Sequence, residues 1–313
     1  MPVCAGMLAD ALSIRVEAAT VIDQGRRDAQ EDAVVADFGR DGTAGFAVLA
    51  DGMGGHAAGD VASALVLHRV RDYLGTALSG PDAPRADMAA LLQLAMDEAN
   101  ADIADHAYCH PETQGMGATL LVPVIRDGAL YWVSVGDSPL FLLREDRLYR
   151  LNRAHTLAAR LDAMVCDGTL DAAVAQATPD RDALTSVLIG APIPEVDLRA
   201  TPFALCPGDI VLAASDGLEF LEDAQIATVL NRHRDAPSHQ IAAQLMQAVH
   251  DLDDPDQDNT ALCVIKVSGT QSAPRMPRAA TTQPARRKTT LFMRVQGNDR
   301  RVAFGTTSAR EGK

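Results

Sequence analysis

Gly45-Phe46-Ala47-Val48-Leu49-Ala50-Asp51-Gly52-Met53-Gly54-Gly55 combines an apolar run with a glycine-rich aspartate motif. The apolar run at residues 45–50 predicts a strand that ends at Asp51, and three glycines follow within four residues. A strand that ends in Asp-Gly presents its carboxylate at the rim of a sheet, where the glycine lets the chain turn sharply. A helix predicted to begin near residue 56 would direct its positive N-terminal end toward an anion. Taken alone, the segment also fits a glycine-rich turn with Asp51 as a helix N-cap.

Three further aspartate motifs occur later in the chain, at Gly136-Asp137-Ser138, Ser215-Asp216-Gly217 and Asp258-Asn259. The first two follow predicted strands and the third begins one. A single Asp-Gly or Asp-Asn is common turn chemistry, so only the set points to a function. Carboxylates collected at one rim would repel each other unless a cation lay between them. Ligands that are all oxygen favour Mg²⁺ or Mn²⁺ over zinc.

A charged segment upstream supplies the complementary group. In Gly25-Arg26-Arg27-Asp28-Ala29-Gln30-Glu31-Asp32, a guanidinium precedes two adjacent carboxylates by four and five residues. Arginine can hold a phosphate with two parallel hydrogen bonds. Without such a cation, a carboxylate-rich site would repel the phosphate. Taken alone, this segment is typical of a solvated charged turn.

The order of the predicted elements favours an α+β fold. Pairs of helices interrupt runs of strands, which fits two antiparallel sheets, each covered by a helix pair, better than a doubly wound parallel sheet. Residues 153–190 are predicted to form short helical pieces and loops, and segments 291–295 and 302–304 a short hairpin. Periodicity predicts strands at 14–22, 32–38, 45–50, 118–124, 130–135, 140–144, 148–151, 196–203, 209–214 and 260–267, and helices at 56–74, 87–107, 223–230 and 238–251.

Charge divides the chain into an acidic body and a basic tail. Residues 269–313 carry ten Lys or Arg and two Asp or Glu, a balance of +8, so residues 1–268 carry −22 of the net −14. An acidic body disfavours nucleic acid as the main substrate. The composition of the tail predicts a disordered extension. Its Arg286-Arg287-Lys288 cluster could also dock an acidic partner or an anionic membrane surface.

A cytoplasmic location is expected from three features of the sequence. There is no apolar run of 18 residues to span a membrane, and the N-terminus lacks a basic region followed by an apolar core. The five cysteines lack paired or Cys-x-x-Cys spacing and are expected to be buried thiols in a reducing compartment. They are Cys4, Cys109, Cys166, Cys206 and Cys263.

Taken in order, these motifs resemble the metal-dependent protein phosphatases of the protein phosphatase 2C, or PPM, type in their bacterial form. The resemblance spans roughly residues 14–267. Each motif is weak alone, but the ordered set is highly specific. The motifs are Arg27…Glu31-Asp32, Asp51-Gly52-Met53-Gly54-Gly55-His56, Gly115-Met116-Gly117-Ala118-Thr119, Val135-Gly136-Asp137-Ser138, Pro207-Gly208-Asp209…Ser215-Asp216-Gly217-Leu218 and Asp258-Asn259-Thr260.

The resemblance implies a four-layer αββα sandwich over residues 1–268 with a binuclear metal centre at one end. It also implies a flap at about 153–190 beside the active site. Asp51 would bridge two Mg²⁺ or Mn²⁺ ions, and Asp216 and Asp258 would complete the shell of one of them. Glu31 and the Gly52 carbonyl would serve the other ion. Asp137, with Asp216, would form a possible third site, Asp32 would hold metal-bound water, and Arg27 would grip the substrate phosphate.

The implied activity is hydrolysis of phosphoserine and phosphothreonine in proteins by a metal-activated water, opposing a bacterial Ser/Thr kinase. Two other functions remain open. One is a regulatory pseudophosphatase or phosphoprotein-binding module with the same fold, and the other is a metal-dependent hydrolase of small phosphate esters.

Three positions depart from the family pattern. Met53 stands where eukaryotic relatives have a histidine that is a proposed general acid, which leaves His56 as a weak alternative for that role. Pro139 stands where an arginine is usual, and Ala154 precedes His155 where an Asp-His pair is common.

Overall fold

Two β-sheets packed face to face form the centre of the molecule. The structure, a computed structural model, describes residues 12–39, 41–54, 58–79, 87–271, 291–295 and 303–306. The first sheet has strand order β13-β12-β1-β11-β10-β7-β8, and the second has order β2-β3-β5-β6-β9 with β4 paired to β3. The strands are β1 (Leu12–Asp23), β2 (Asp32–Phe38), β3 (Gly45–Met53), β4 (Gly117–Ala118), β5 (Leu120–Arg126), β6 (Ala129–Val135), β7 (Leu140–Arg144), β8 (Arg147–Arg150), β9 (Asp197–Ala204), β10 (Ile210–Ala214), β11 (Thr260–Gln271), β12 (Leu291–Val295) and β13 (Ala303–Thr306).

A helix pair covers the outer face of each sheet. Helices α1 and α2 pack on β3, β5 and β6, and α5 and α6 pack on β1, β7, β10 and β11. A third apolar cluster fills the space between the sheets. The predicted αββα sandwich is therefore confirmed. The helices are α1 (Gly59–Ala77), α2 (Met88–Cys109), α3 (Leu157–Cys166), α4 (Ala172–Ala177), α5 (Asp223–Arg232) and α6 (Ser238–His250), with 3₁₀ turns at Pro111–Thr113 and Asp216–Phe220.

Strand β3 shows why its sequence is apolar without alternation. Val48 and Ala50 belong to the core beneath α1 and α2, whereas Ala47 and Leu49 belong to the core between the sheets. A strand with both faces covered has no solvent side, so nearly every side chain in it is buried. The strand ends at Met53, which places Asp51 at its carboxyl end, as predicted.

Most predicted elements are present, and most differences lie at their ends. The strand predicted at 118–124 is divided into β4 and β5. Helix α1 begins at Gly59, and its predicted start at residue 56 lies outside the described residues. Residues 153–190 contain two short helices, as predicted, although their role as a flap stays a prediction. A bridge between Thr156 and Leu184 closes the base of this segment.

The basic tail contributes two described strands. Strand β12 lies parallel to β1, with Thr20 opposite Phe292, and β13 pairs antiparallel with β12. The predicted hairpin is present, and β12–β1 is the parallel pair among the described strand pairings. The boundary at residue 268 and the disorder of the tail stay predictions.

The cysteine expectation is confirmed for Cys263, which is a buried free thiol. It was wrong for Cys109 and Cys166, which are exposed free thiols, and for Cys206, which is disulfide-bonded. Cys4 lies outside the described residues. The spacing of the cysteines gave no sign of these differences, because neither exposure nor disulfide bonding leaves a local pattern. Within the residues that the structure covers, no helix combines the length and apolar character needed to cross a membrane.

Candidate metal centre

Strand register brings the predicted carboxylates to one end of the two sheets. Asp32 opens β2 and lies opposite Asp51 of β3 in the register of that pair. In the other sheet, β10 runs antiparallel to β11, with Ala214 opposite Leu262. Asp216 follows the end of β10 and Asp258 precedes the start of β11, so they lie at the same edge. Asp137 lies in the short connection between β6 and β7.

The carboxylates interact strongly through their charges. Burial raises the pKa of Asp51 well above its usual range, and four neighbouring carboxylates raise it further: Asp32, Asp216, Asp137 and Asp258. Burial, with the charges of Asp137 and Asp258, raises the pKa of Asp216 to about 6. Burial also raises the pKa of Asp137 to about 6, and the Arg150 guanidinium opposes that rise. Buried carboxylates that repel one another are stabilised by a cation between them.

Asp32 is the most deeply buried carboxylate of the set, with 5% of its surface exposed. Burial, together with the charges of Asp216 and Asp258, raises its pKa, although Ser215 Oγ donates a 2.6 Å hydrogen bond to Asp32 Oδ2. Its other oxygen, Oδ1, has no hydrogen-bond partner among the described residues, and the same is true of the buried Glu31 Oε1. Buried carboxylate oxygens without donors are costly, so both atoms are suited to bind a cation or an ordered water.

Glycine packing holds Glu31 close to Asp51. A Cβ on Gly52 would come within 1.9 Å of the Gly59 carbonyl oxygen, and one on Gly59 would come within 2.7 Å of Glu31 Cδ. The Gly52 N–H also donates to the Glu31 carbonyl at 3.1 Å. The sequence Asp-Gly therefore does more than turn the chain: it lets the start of α1 and the residue before β2 approach the end of β3.

Arg27 lies at the rim of the cluster. Its Nη2 donates to Asp258 Oδ2 at 2.5 Å, and 58% of its side chain is exposed. Asn259 fixes the loop that carries Arg27, because Asn259 Oδ1 accepts a hydrogen bond from the Glu31 N–H at 2.7 Å. The Asn259 side-chain amide also donates to the Gln24 and Ala29 carbonyls.

The donor set fits a hard divalent cation, because it consists of carboxylate and carbonyl oxygens. Within the described ranges, no three His, Cys, Asp or Glu side chains converge closely enough to enclose an ion by themselves. The centre is therefore defined by its donor chemistry and its electrostatics, and not by a closed ligand cage. The assigned role of each residue stays a prediction.

The departures from the family pattern have structural settings. Met53 pairs with Gly117 across β3 and β4, and Pro139 accepts a hydrogen bond from the Ala214 N–H. His155 is buried, with 2% of its surface exposed, and burial lowers its pKa. His56 lies outside the described residues.

Four residues of the site were missed by the sequence reasoning. Ser215 and Asn259 lie inside the aspartate motifs, where a polar residue beside an aspartate was the available signal. Arg150 and Glu219 have no such signal in the sequence around them. Arg150 donates to Glu219 Oε1 at 2.7 Å and to the Asp137 carbonyl at 2.6 Å, across sequence separations that no local pattern reveals.

Comparison with known proteins agrees with this arrangement. The protein phosphatase 2C family matches residues 24–262. The serine/threonine protein phosphatase PstP of Mycobacterium tuberculosis is 34% identical over 170 residues, which is 54% of this chain and 31% of PstP. The serine/threonine phosphatase stp of Listeria innocua is 30% identical over 190 residues, 60% of this chain and 72% of stp.

A solved structure of the PstP catalytic domain, crystallised with two manganese ions, matches 82% of this chain and 99% of that one, with 28% identity and a TM-score of 0.65. The chain spans about a third of the length of the mycobacterial PstP that it matches. The family match covers most of the chain and includes every residue of the carboxylate cluster. This chain belongs to the protein phosphatase 2C family.

Proposed function

We propose that this chain is a metal-dependent protein phosphatase that hydrolyses phosphoserine and phosphothreonine. The observation that carries the proposal is that five mutually repelling aspartates, one buried and four half-buried, lie at one end of the two sheets, with Arg27 at the rim of the cluster. The names of the mycobacterial and listerial relatives support the substrate class, and the manganese complex of PstP supports the metal.

The proposed ligands are the predicted ones. Asp51 would bridge two ions, Asp216 and Asp258 would bind one, and Glu31 and the Gly52 carbonyl would bind the other. Asp137 with Asp216 would serve a possible third. When bound, Mg²⁺ or Mn²⁺ would supply Lewis acidity toward the phosphoryl oxygens and lower the pKa of a nearby water.

The protein groups would bind the phosphate and orient the attacking water. Arg27 would neutralise phosphoryl oxygens with parallel N–H donors, after exchanging Asp258 for the substrate. Asp32 would accept a hydrogen bond from that water through Oδ1, because Ser215 occupies only Oδ2. Attack in line with the departing serine or threonine oxygen needs no covalent phosphoenzyme.

A cognate Ser/Thr kinase, a cytoplasmic location and the docking of an acidic partner by the tail belong to the same proposal. The kinase rests on the resemblance to the family, and the docking rests on the positive charge of the tail.

The experiment is phosphate release from a phosphothreonine peptide and from small phosphate esters, with Mn²⁺, with Mg²⁺ and with EDTA. Peptide turnover that needs metal and disappears in Asp216→Asn is the expected result. Turnover of nucleotides or sugar phosphates alone would indicate a small-ester hydrolase. No release from a folded sample under any metal would leave a phosphoprotein-binding module.

A further inference from the structure

Several hydrogen bonds tie the loop that carries Asp137 to one nearby segment of the chain. The loop comprises residues 136–139 and leads into β7 at Leu140. Residues 150–155, which we call the supporting segment, begin at the last residue of β8 and precede the bridge at the base of the predicted flap.

His155 makes a reciprocal pair of bonds with Gly136. The His155 N–H donates to the Gly136 carbonyl at 2.9 Å, and the Gly136 N–H donates to His155 Nδ1 at 3.1 Å. A nitrogen that accepts a hydrogen bond carries no proton, so this contact requires the neutral imidazole with its proton on Nε2. The His155 carbonyl accepts from the Thr185 N–H at 2.8 Å, which fixes the residue from its other side.

Asn152 and Arg150 hold the rest of the loop. Asn152 Nδ2 donates to the Ser138 carbonyl at 2.9 Å, and its Oδ1 accepts from the Leu140 N–H at 2.8 Å. Arg150 donates to the Asp137 carbonyl and reaches Glu219 with its second nitrogen. Asn152 is buried, with 5% of its surface exposed, so these two bonds form away from solvent.

The far side of the loop is fixed against the strand that carries Asp51. Gly136 has φ +101°, and a Cβ there would lie 2.6 Å from Thr119 Cγ2. Thr119 Oγ1 accepts from the Asp51 N–H at 3.0 Å and is hydrogen-bonded to Ser138 Oγ at 3.0 Å. The backbone of the Asp137 loop is therefore held between the supporting segment and the end of β3.

We propose that His155, Asn152 and Arg150 are positioning residues for Asp137. The supporting segment keeps the Asp137 carboxylate within electrostatic reach of Asp51 and Asp216. It acts on the site through Asp137 and makes no contact of its own with substrate. The inference deepens the proposed function and rests on the assignment of Asp137 as a metal ligand. Residues that orient metal ligands typically change metal affinity by about tenfold to a hundredfold when they are removed.

The test compares two substitutions of the same residue. His155→Leu removes the acceptor for the Gly136 N–H, whereas His155→Asn places Oδ1 close to the position of Nδ1 and restores it. Leu230→Ala, in the buried face of α5, is a control that lowers stability without touching the loop. Asn152→Asp, which loses the donor to the Ser138 carbonyl, replaces His155→Leu if that variant does not fold.

Three readouts are taken on the full chain: Mn²⁺ binding by calorimetry, exchange of the Gly136 amide in metal-free protein, and kcat and KM for a phosphothreonine peptide. Asp137→Asn should remove the Mn²⁺ binding that depends on the Asp137 carboxylate. His155→Leu is expected to weaken that same binding by about tenfold. It should also speed exchange of the Gly136 amide and lower kcat more than it raises KM. His155→Asn should restore all three. In an Asp137→Asn background, His155→Leu should weaken Mn²⁺ binding no further.

The opposite results overturn the inference. These are a His155→Leu variant that loses only stability, as Leu230→Ala does, or one whose effect on Mn²⁺ binding adds fully to that of Asp137→Asn. A wild-type chain that binds no Mn²⁺ overturns both this inference and the proposed function. A chain that binds Mn²⁺ but hydrolyses no phosphopeptide contradicts the proposed function alone, and the binding cycle still decides the role of His155.

Discussion

Arg27 pairs with the carboxylate of Asp258, which would compete with the phosphate of the proposed substrate for the same guanidinium. Its guanidinium is 58% exposed and its partner carboxylate 28% exposed. Solvated ion pairs of this kind contribute about 0–1 kcal/mol to stability. Breaking the contact with Asp258 therefore costs little, and Arg27 is free to bind a phosphate with the two N–H groups of a bidentate pair.

Replacement of Arg27 should chiefly weaken binding of the phosphopeptide. Arg27→Ala removes charge-assisted hydrogen bonds worth roughly 1.5–3 kcal/mol, so KM should rise by about tenfold to a hundredfold with a smaller change in kcat. Arg27→Lys keeps the charge but not the two parallel donors, so its KM should lie between the KM of wild type and that of Arg27→Ala. Steady-state kinetics at saturating Mn²⁺ measure this. A KM unchanged in Arg27→Ala would remove Arg27 from phosphate binding.

Among the residues of the site, the sequence predicted those whose chemistry is conspicuous and missed those that support them. Asp51 and Arg27 lie in motifs whose residue types indicate a role in binding a metal ion or a phosphate. Arg150 and Glu219 lie 13 and 82 residues from Asp137 along the chain, and only the packed sheets bring the three together. Distance along the chain is why no pattern revealed them.

Three elements meet where β3 ends, and glycine makes that meeting possible. Gly52 of β3 and Gly59 at the start of α1 are in backbone contact, and Glu31 lies against Gly59. A methyl group in either position would have to displace its neighbour. The two positions differ in consequence. A Cβ on Gly52 would meet rigid backbone at 1.9 Å, whereas the nearest atoms to a Cβ on Gly59 belong to the flexible Glu31 carboxyl group, with the Gly52 carbonyl carbon at 3.0 Å.

Gly59→Ala should therefore move Glu31 without unfolding the protein. Alanine is favoured over glycine inside a helix by up to about 1 kcal/mol, and at the first residue of α1 a part of that gain offsets the contact with Glu31 Cδ. We expect weaker Mn²⁺ binding, close to that of Glu31→Gln, at nearly unchanged unfolding free energy. Calorimetric titration and urea denaturation measure the two quantities. Unaltered Mn²⁺ binding in Gly59→Ala would show that Glu31 is not a ligand.

Element types were predictable where burial alone decides them. Strands β3, β5 and β10 are buried on both faces, which leaves an unbroken apolar run in the sequence. The parallel pairing of β12 with β1 was not predictable. The five residues of β12 carry no signal for the direction or the identity of a partner strand.

The body of the molecule is strongly acidic, with a charge balance of −22 over residues 1–268. The five aspartates at one end of the two sheets add mutual repulsion to the cost of their burial. Folding forces these groups together, so the metal-free protein is destabilised whenever they ionise. Bound cations would reverse that effect, because ligands that bind only the folded state stabilise it.

The pH dependence of stability should show this repulsion. The pKa of Asp216 is about 6 in the folded protein against an ordinary value of 3.8. As pH rises through 3.8 the unfolded chain releases the proton first, and stability falls until the folded carboxyl has also ionised near pH 6. Each unit of difference corresponds to about 1.4 kcal/mol. In EDTA, wild type should therefore lose stability relative to Asp216→Asn across this interval.

Urea denaturation of both proteins between pH 4 and pH 7 measures that difference. Added Mn²⁺ should restore the stability of wild type above pH 6 and do little for Asp216→Asn. A wild type that gains stability relative to Asp216→Asn as pH rises in EDTA would contradict the assignment of repulsion at this residue.

Removal of the tail should leave catalysis intact. The three apolar clusters draw their buried residues from positions 14–267, and the described contacts of β12 with the body are strand pairing with β1. A chain ending at residue 271 should keep its turnover of a short phosphopeptide within about twofold, and binding of an acidic partner should weaken. Equal binding of the partner by both chains would end the docking proposal.

A crystal structure of the full chain soaked in Mn²⁺, with anomalous scattering to locate the ions, tests the proposed metal centre most directly. We predict two manganese peaks at the end of the two sheets where the carboxylates lie, with Asp51 bound to both, Asp216 and Asp258 on one and Glu31 with the Gly52 carbonyl on the other. Peaks found only elsewhere, or none, in crystals of protein that still hydrolyses phosphopeptide would contradict the metal centre proposed for these residues.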